Sequence, residues 1–194
     1  MAMRWRGFVL ILFGAPAFAQ SNGTFALDRT SFTSVREYVA TEAIPRQIAL
    51  PPNLYVSDTF RTVVETMLRQ SPTFRRQCLR IADDPRLAVY LAPARDPRRS
   101  DVRATTHFAR KQAGLTATIT IFPVNRHVEL IAHELEHVIE QLDGVDLASF
   151  AAMPGTGVHA VSPSPRAFET TRAMTVGLKV AGEVDARTPT RQGR

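Results

Sequence analysis

The chain has 194 residues, of which 44% are hydrophobic, so it is long enough for one compact domain with its own core. Its formal net charge of +6 is mild, whereas nucleic-acid binding favours a concentrated basic face with interleaved aromatic residues. We therefore expect no nucleic-acid partner and interpret the arginines as a solvated surface, with an acidic envelope surface as an alternative, nonspecific partner.

Residues 1–19 have the layout of a secretory signal peptide. Arg4 and Arg6 precede a short apolar run over 7–15, and Ala17-Phe18-Ala19 has the small residues of a cleavage site. The alternative is an N-terminal membrane anchor, but the run is shorter than the roughly 20 residues that span a bilayer. We predict cleavage after Ala19, no stable membrane span afterwards, and a secreted or periplasmic protein.

The first half of the remaining chain is predicted to be mainly helical. After a lead-in over 20–33, Ser34 and Glu37 fit a capping box for a helix over 34–43, and 46–56 is at best an irregular or edge strand. Ser57 is placed to cap a helix over 58–70. That helix has apolar residues on one face: Phe60, Val63, Val64, Met67 and Leu68.

A second helix is predicted over 72–82, with Pro72 at its first position. It carries Cys78, the only cysteine, so no internal disulfide can form and an exported protein must rely on its core or on a metal. We interpret Cys78 as a packing residue, with a reactive thiol or a metal ligand as the alternatives.

Strands follow. Residues 87–91 and 102–108 are candidates, separated by a charged loop over 95–101. The clearest strand is 115–122, where Leu115, Ala117, Ile119 and Ile121 alternate with Thr116, Thr118, Thr120 and Phe122. Pro123 ends it.

Asn125 is placed to cap a helix over 126–142, and 145–165 reads as a long loop of the functional kind, a lid or an inhibitory segment. Ser164-Pro165 opens a last helix over about 165–183, and 185–194 is predicted to be a disordered tail. We therefore predict one α+β domain over 34–184.

The 126–142 helix carries the run His133-Glu134-Leu135-Glu136-His137. Histidines at i and i+4 project from one face of a helix, close enough to bind one ion. Zinc accepts imidazole nitrogens and keeps one position for water at catalytic sites, and the glutamate after the first histidine is placed to take that water's proton. The apolar stripe of this helix lies on the other side, which leaves the histidine face free for chemistry; its members are Val128, Ile131, Leu135, Val138, Ile139 and Leu142.

A third metal ligand is needed, and five residues are candidates: Asp143, Asp146, His159, Glu169 and Glu183. Glu169 is favoured because it aligns with small apolar residues of the last helix, where an unpaired buried carboxylate would be costly. Its alternative is a glutamate that reaches solvent or favours the helix N-terminus. His159 is the second choice, either as a ligand, as a hydrogen-bond donor to the transition-state oxyanion, or as a plain loop histidine.

The motif together with Glu169 resembles the gluzincin group of zinc metallopeptidases. The resemblance implies a minimal zincin fold: a small mixed sheet with backing helices, an active-site helix, and a C-terminal helix that carries the third ligand. It implies one zinc ion bound by His133, His137 and Glu169, with Glu134 as general base. It also implies that an edge strand aligns the peptide substrate, a role for which Thr116, Thr118 and Thr120 are placed.

The chain departs from related families at named positions. Thermolysin-like relatives often carry an aspartate four residues after the third ligand, where this chain has Ala173. Glu140 stands where metzincins have a glycine, and Cys78 lacks the surrounding motif of peptide deformylases. The function expected is a zinc-dependent peptidase acting on a peptide or protein; the alternatives are a non-catalytic zincin-like protein that binds zinc or an envelope partner, and a structural domain with a chance motif.

Overall fold

The computed structural model describes residues 8–13, 49–96, 102–123, 126–161 and 167–187, with the backbone alone for 8–13. The helix predicted over 34–43, the lead-in over 20–33 and the tail beyond 187 lie outside these residues. The strands described are β1 (Phe8–Phe13), β2 (Leu54–Val56), β3 (Leu87–Pro93), β4 (Val102–Lys111), β5 (Gly114–Ile121), β6 (Val158–Ala160) and β7 (Phe168–Thr170). The helices are α1 (Asp58–Gln70), α2 (Pro72–Ala82), α3 (His127–Leu142), α4 (Leu147–Ala151) and α5 (Thr171–Asp185).

The strands form a mixed sheet in the order β1-β4-β5-β3-β2, and a separate antiparallel pair, β6-β7. Within the sheet β4 and β5 are antiparallel, and the other pairs are parallel. Helix α3 contacts β4 and β5, and it also contacts α2 and α5. The fold is therefore mixed α and β with a small mixed sheet, which agrees with the α+β class predicted from the sequence.

The first two helices occupy the predicted ranges, but their caps differ from expectation. Ser57 occupies the predicted N-cap position of α1, but its side chain makes no capping hydrogen bond. Ser71, which directly precedes Pro72, is the N-cap of α2. Its side chain accepts a hydrogen bond from the backbone N–H of Phe74. Cys78 is buried in α2, and burial raises the pKa of its thiol to about 12, which fits a packing residue.

The strand predicted to align a substrate lies in the middle of the sheet. β5 pairs with β3 on one side and with β4 on the other, so its backbone groups are already used. The expectation that Thr116, Thr118 and Thr120 belong to a free edge strand is therefore wrong. Alternation identified the buried face of β5 correctly, but alternation carries no information about which strands flank it.

Helix α3 is buried on all sides over most of its length, from Glu129 to Glu140. The expectation that its histidine face is free is wrong, because α5 covers that face. Arg126 is the N-cap, and Asn125, the predicted cap, lies outside the described residues. The polar groups of α3 are thus held in the interior, where each needs a partner.

The segment predicted as one long loop contains α4 and β6, and the last helix begins later than predicted. The side chain of Thr170 caps α5 by accepting a hydrogen bond from the N–H of Ala173, so the helix starts at Thr171. Glu169 therefore lies on β7 and not on the C-terminal helix, which corrects its predicted position.

Residues 8–13, inside the predicted signal peptide, form β1, which pairs with β4 in parallel. Signal cleavage after Ala19 would remove this strand and make β4 an edge of the sheet. Over the residues that the structure describes, none of the helices has the length and apolar character that crossing a membrane requires.

Gly177 lets α5 approach α3 closely. A Cβ at this position would lie 2.8 Å from the backbone oxygen of Glu129 and 3.1 Å from the Cβ of His133. The last helix therefore approaches the histidine helix closely at this glycine.

We expect Gly177→Ala to lower the free energy of unfolding by about 1–3 kcal/mol, because the added methyl must push the two helices apart. Urea denaturation measures this change. Gly182→Ala is the matched control, since its Cβ would meet nothing within 4 Å and alanine favours the helix. Equal effects of the two substitutions would contradict the close approach.

Candidate metal centre

Two elements bring three candidate ligands together. Helix α3 supplies His133 and His137, and β7 supplies Glu169. The Nε2 atoms of the histidines lie 3.1 Å apart, and Oε1 of Glu169 lies 3.1 Å from Nε2 of His133 and 3.6 Å from Nε2 of His137. The structure thus contains a group that could hold a metal ion, the same three residues that the sequence favoured.

The spacing of these atoms suits a small tetrahedral ion. Ligands about 2.0–2.1 Å from a tetrahedral ion lie about 3.3 Å from one another, which is close to the three separations in this cluster. Both histidines are almost fully buried, and the side chain of Glu169 is 14% exposed. Two imidazoles and one carboxylate, with solvent reaching only one of them, are a donor set that fits zinc.

The pKa shifts of two residues of the cluster, His137 and Glu169, favour a positive charge. Burial lowers the pKa of His137, but its hydrogen bonds with Glu140 and Glu169 outweigh burial and raise the pKa to about 10. Burial raises the pKa of Glu169, but hydrogen bonds with His133 and His137 outweigh it and lower the pKa to about 2. Both shifts have one cause, the short contacts between the imidazoles and the carboxylates, and both favour a positive charge within the cluster.

Glu140 orients His137. Its Oε2 lies 2.8 Å from Nδ1 of His137, one helical turn earlier, and its Oε1 accepts a hydrogen bond of 2.7 Å from the hydroxyl of Thr170. An Nδ1–H held by a carboxylate leaves Nε2 available to a metal. Glu140 also links α3 to the residue that follows Glu169, so one buried carboxylate fixes both halves of the cluster.

We expect Glu140→Gln to weaken metal binding by about 10- to 100-fold, the usual effect of losing a partner of a ligating histidine. Both oxygens of Glu140 accept hydrogen bonds, and an amide presents only one acceptor, so either His137 or Thr170 loses its partner. Competition with a chromophoric chelator measures the dissociation constant of zinc. An unchanged constant would show that Glu140 does not orient the ligand.

Glu134, the predicted general base, lies next to the cluster and is fully buried. Its Oε2 accepts a hydrogen bond of 2.5 Å from the hydroxyl of Thr106 on β4, and its Oε1 is buried with no hydrogen-bond partner among the described residues. Burial raises the pKa of Glu134, although His133, His137 and Thr106 act in the opposite direction. An orphaned carboxylate oxygen beside two imidazoles is a position where a reacting water would find an acceptor.

The remaining candidate ligands have other partners. Glu183 accepts hydrogen bonds from Ser71 and from the backbone and side chain of Thr73, at the start of α2. Asp146 caps α4, and its contacts with Ser149 lower the pKa of its carboxyl.

Asp143 forms an ion pair with Arg172, which also binds Glu136. Glu136, the inner glutamate of the motif, additionally accepts a hydrogen bond from Gln77 and therefore points away from the cluster. The contacts of Arg172 with Glu136 and Asp143 link α5 to α3.

His159 lies opposite Glu169 in the β6-β7 ladder and is exposed. It lies outside the group of three ligand atoms. Directly paired residues on antiparallel strands project to the same face with Cβ atoms about 4.5–5.5 Å apart. His159 is therefore a neighbour of the cluster on its solvent side.

Comparisons with protein-family models, with curated proteins and with solved structures found no match for this chain. Any assignment of function rests on its own residues and their geometry.

Sequence reasoning missed three residues of the centre: Thr106, Glu140 and Thr170. Glu140 carried a usable signal, because a carboxylate three residues after a ligating histidine lies on the same helix face. Thr106 and Thr170 carried none, since each reaches the site only through contacts between elements far apart in the chain.

Proposed function

We propose that this protein is a zinc-dependent metallopeptidase with a zincin-like arrangement of its active site. One observation carries the proposal: a buried glutamate with a free oxygen lies beside two histidines and a carboxylate whose donor atoms have tetrahedral spacing. A metal site with a purely structural role does not require a buried glutamate with an unpaired oxygen beside its ligands. His133, His137 and Glu169 would hold the ion.

The reaction proposed is hydrolysis of a peptide bond. Zinc, when bound, supplies a Lewis acid for the scissile carbonyl. Oε1 of Glu134 accepts a proton from water, while the electron pair of that O–H bond stays on the oxygen that attacks the carbonyl carbon. The C–N bond then breaks, and Glu134 returns the proton to the leaving nitrogen.

The exposed His159 is a candidate for a second role in this hydrolysis. Its place opposite Glu169 puts an imidazole near the only ligand that solvent reaches. We propose that its N–H donates to the oxyanion that develops on the substrate, a role for a preorganised donor. The same position makes it the alternative ligand.

β4 lies beside the proposed general base, Glu134, and is the strand with which an extended peptide substrate would pair. Thr106 places β4 against Glu134, and β5 already occupies one side of β4. With residues 1–19 removed after export, the other side of β4 would be free to pair with a substrate backbone. We therefore propose a secreted or periplasmic peptidase whose substrate lies along β4.

The test uses the chain that begins at Gln20, assayed on a library of unstructured peptides. We expect one zinc ion per chain by elemental analysis, and hydrolysis that a chelator removes and added zinc restores. Active protein without metal would contradict the proposal.

A second candidate is a non-catalytic zinc-binding protein of the cell envelope. The burial of His133, His137 and Glu134 favours it, because these side chains are at most 1% exposed. Stoichiometric zinc with no turnover on any peptide would select this candidate.

A further inference from the structure

Thr106 is an isolated polar residue on the inward face of β4. Its neighbours on that face are apolar and buried: Val102, Ala104 and Phe108. Thr106 itself is fully buried, and a buried hydroxyl without a partner is costly. Its hydroxyl finds that partner in α3, where Oγ1 lies 2.5 Å from Oε2 of Glu134.

This contact makes the two oxygens of Glu134 unequal. Oε2 accepts from Thr106, whereas Oε1 has no hydrogen-bond partner among the described residues. The terminal torsion of a glutamate is broad, so a carboxylate without such a contact samples many orientations. A hydrogen bond to one oxygen restricts this rotation and leaves the other oxygen at a defined place.

Resting on the function proposed above, we infer that Thr106 is the positioning residue of the general base. Its hydroxyl holds Oε2 of Glu134, so that Oε1 is the oxygen that takes the proton from water. Because Thr106 lies on the strand proposed to align the peptide, the same strand then positions both the substrate and the base. The hydrogen bond thereby fixes the position of Glu134 relative to the strand proposed to align the substrate.

Two substitutions separate the hydroxyl from the shape of the side chain. Both are made in the chain that begins at Gln20, and the unsubstituted form of that chain is the wild-type chain of these comparisons. Thr106→Val keeps the branched shape and removes the donor, whereas Thr106→Ser keeps the donor and removes a methyl group. A hydrogen bond to a charged group corresponds to about a 10- to 100-fold change in rate. We expect Thr106→Val to lose about that factor in kcat, with KM and zinc content unchanged, and Thr106→Ser to stay within about threefold of the wild-type chain.

A second readout uses the metal-free protein and needs no activity. Thr106→Val is made in the wild-type chain and in the Glu134→Leu variant, and urea midpoints are compared. We expect the substitution to lower the midpoint in the wild-type chain, where it breaks the hydrogen bond. In Glu134→Leu it should leave the midpoint unchanged or raise it, since the hydroxyl there has lost its acceptor.

The outcomes distinguish this inference from the proposed function. If the wild-type chain hydrolyses nothing, the proposed function fails and this inference fails with it. If the wild-type chain is active and Thr106→Val keeps its kcat, this inference alone fails. Equal losses for Thr106→Val and Thr106→Ser, or equal midpoint shifts in both backgrounds, would also overturn it, because each would show that packing and not the hydroxyl matters.

Discussion

Glu134→Gln is expected to remove peptide hydrolysis while leaving the zinc content of the protein unchanged. Glutamine has the shape of glutamate, and its amide oxygen can still accept the hydrogen bond from Thr106. Its amide nitrogen then takes the place of Oε1, where no proton can be accepted. The loss of a general base is expected to lower kcat by about 10²–10⁴-fold. Initial rates on one peptide, together with elemental analysis, measure both quantities.

Glu136→Gln is the matched control for this substitution. It removes another buried carboxylate from the same motif, two positions along α3, but Glu136 binds Gln77 and Arg172. We expect lower stability with hydrolysis retained. A Glu134→Gln variant that still hydrolyses peptides would exclude Glu134 as the base, and an inactive Glu136→Gln variant of normal zinc content would show that the assay reports damage to α3.

The close approach of the two histidines could be predicted because both lie on one helix, four residues apart. His133 and His137 are one helical turn apart, so their juxtaposition follows from helix geometry alone. Glu169 belongs to the group that could hold a metal ion, but its predicted place on a helix was wrong, because Thr170 caps α5 and the preceding residues pair with β6 as a strand. The residue type therefore identified Glu169 as a candidate ligand, although the secondary structure predicted for it was wrong.

The surroundings of the cluster were not predictable for the opposite reason. The contact of Thr106 with Glu134 requires β4 to lie against α3, and the central place of β5 depends on β3, far earlier in the chain. Periodicity defines which face of an element is buried but not what covers it. The histidine face of α3 shows this limit, since α5 covers the face that the pattern left open.

Zinc is expected to stabilise the folded chain, and Glu169→Gln is expected to remove most of that effect. The ion would join α3 to β7. Without it the two elements are linked at this point by the contacts of Glu169 with His133 and His137, and by the bond of Glu140 to Thr170. A ligand at about 1,000 times its dissociation constant adds about 4 kcal/mol to the free energy of unfolding. For a chain of this size that corresponds to an increase in Tm of about 8–16 °C. Thermal unfolding with zinc and with a chelator measures the difference.

Glu183→Gln is the control, because it also replaces a carboxylate of the C-terminal region but acts at the start of α2. It should lower the Tm of the metal-free protein, since Ser71 and Thr73 lose an acceptor, and it should leave the increase produced by zinc intact. A Glu169→Gln variant that keeps the full increase would show that another residue completes the site. His159, directly across the ladder from Glu169, is then the residue to replace, and loss of the increase in His159→Ala would move the third ligand from β7 to β6.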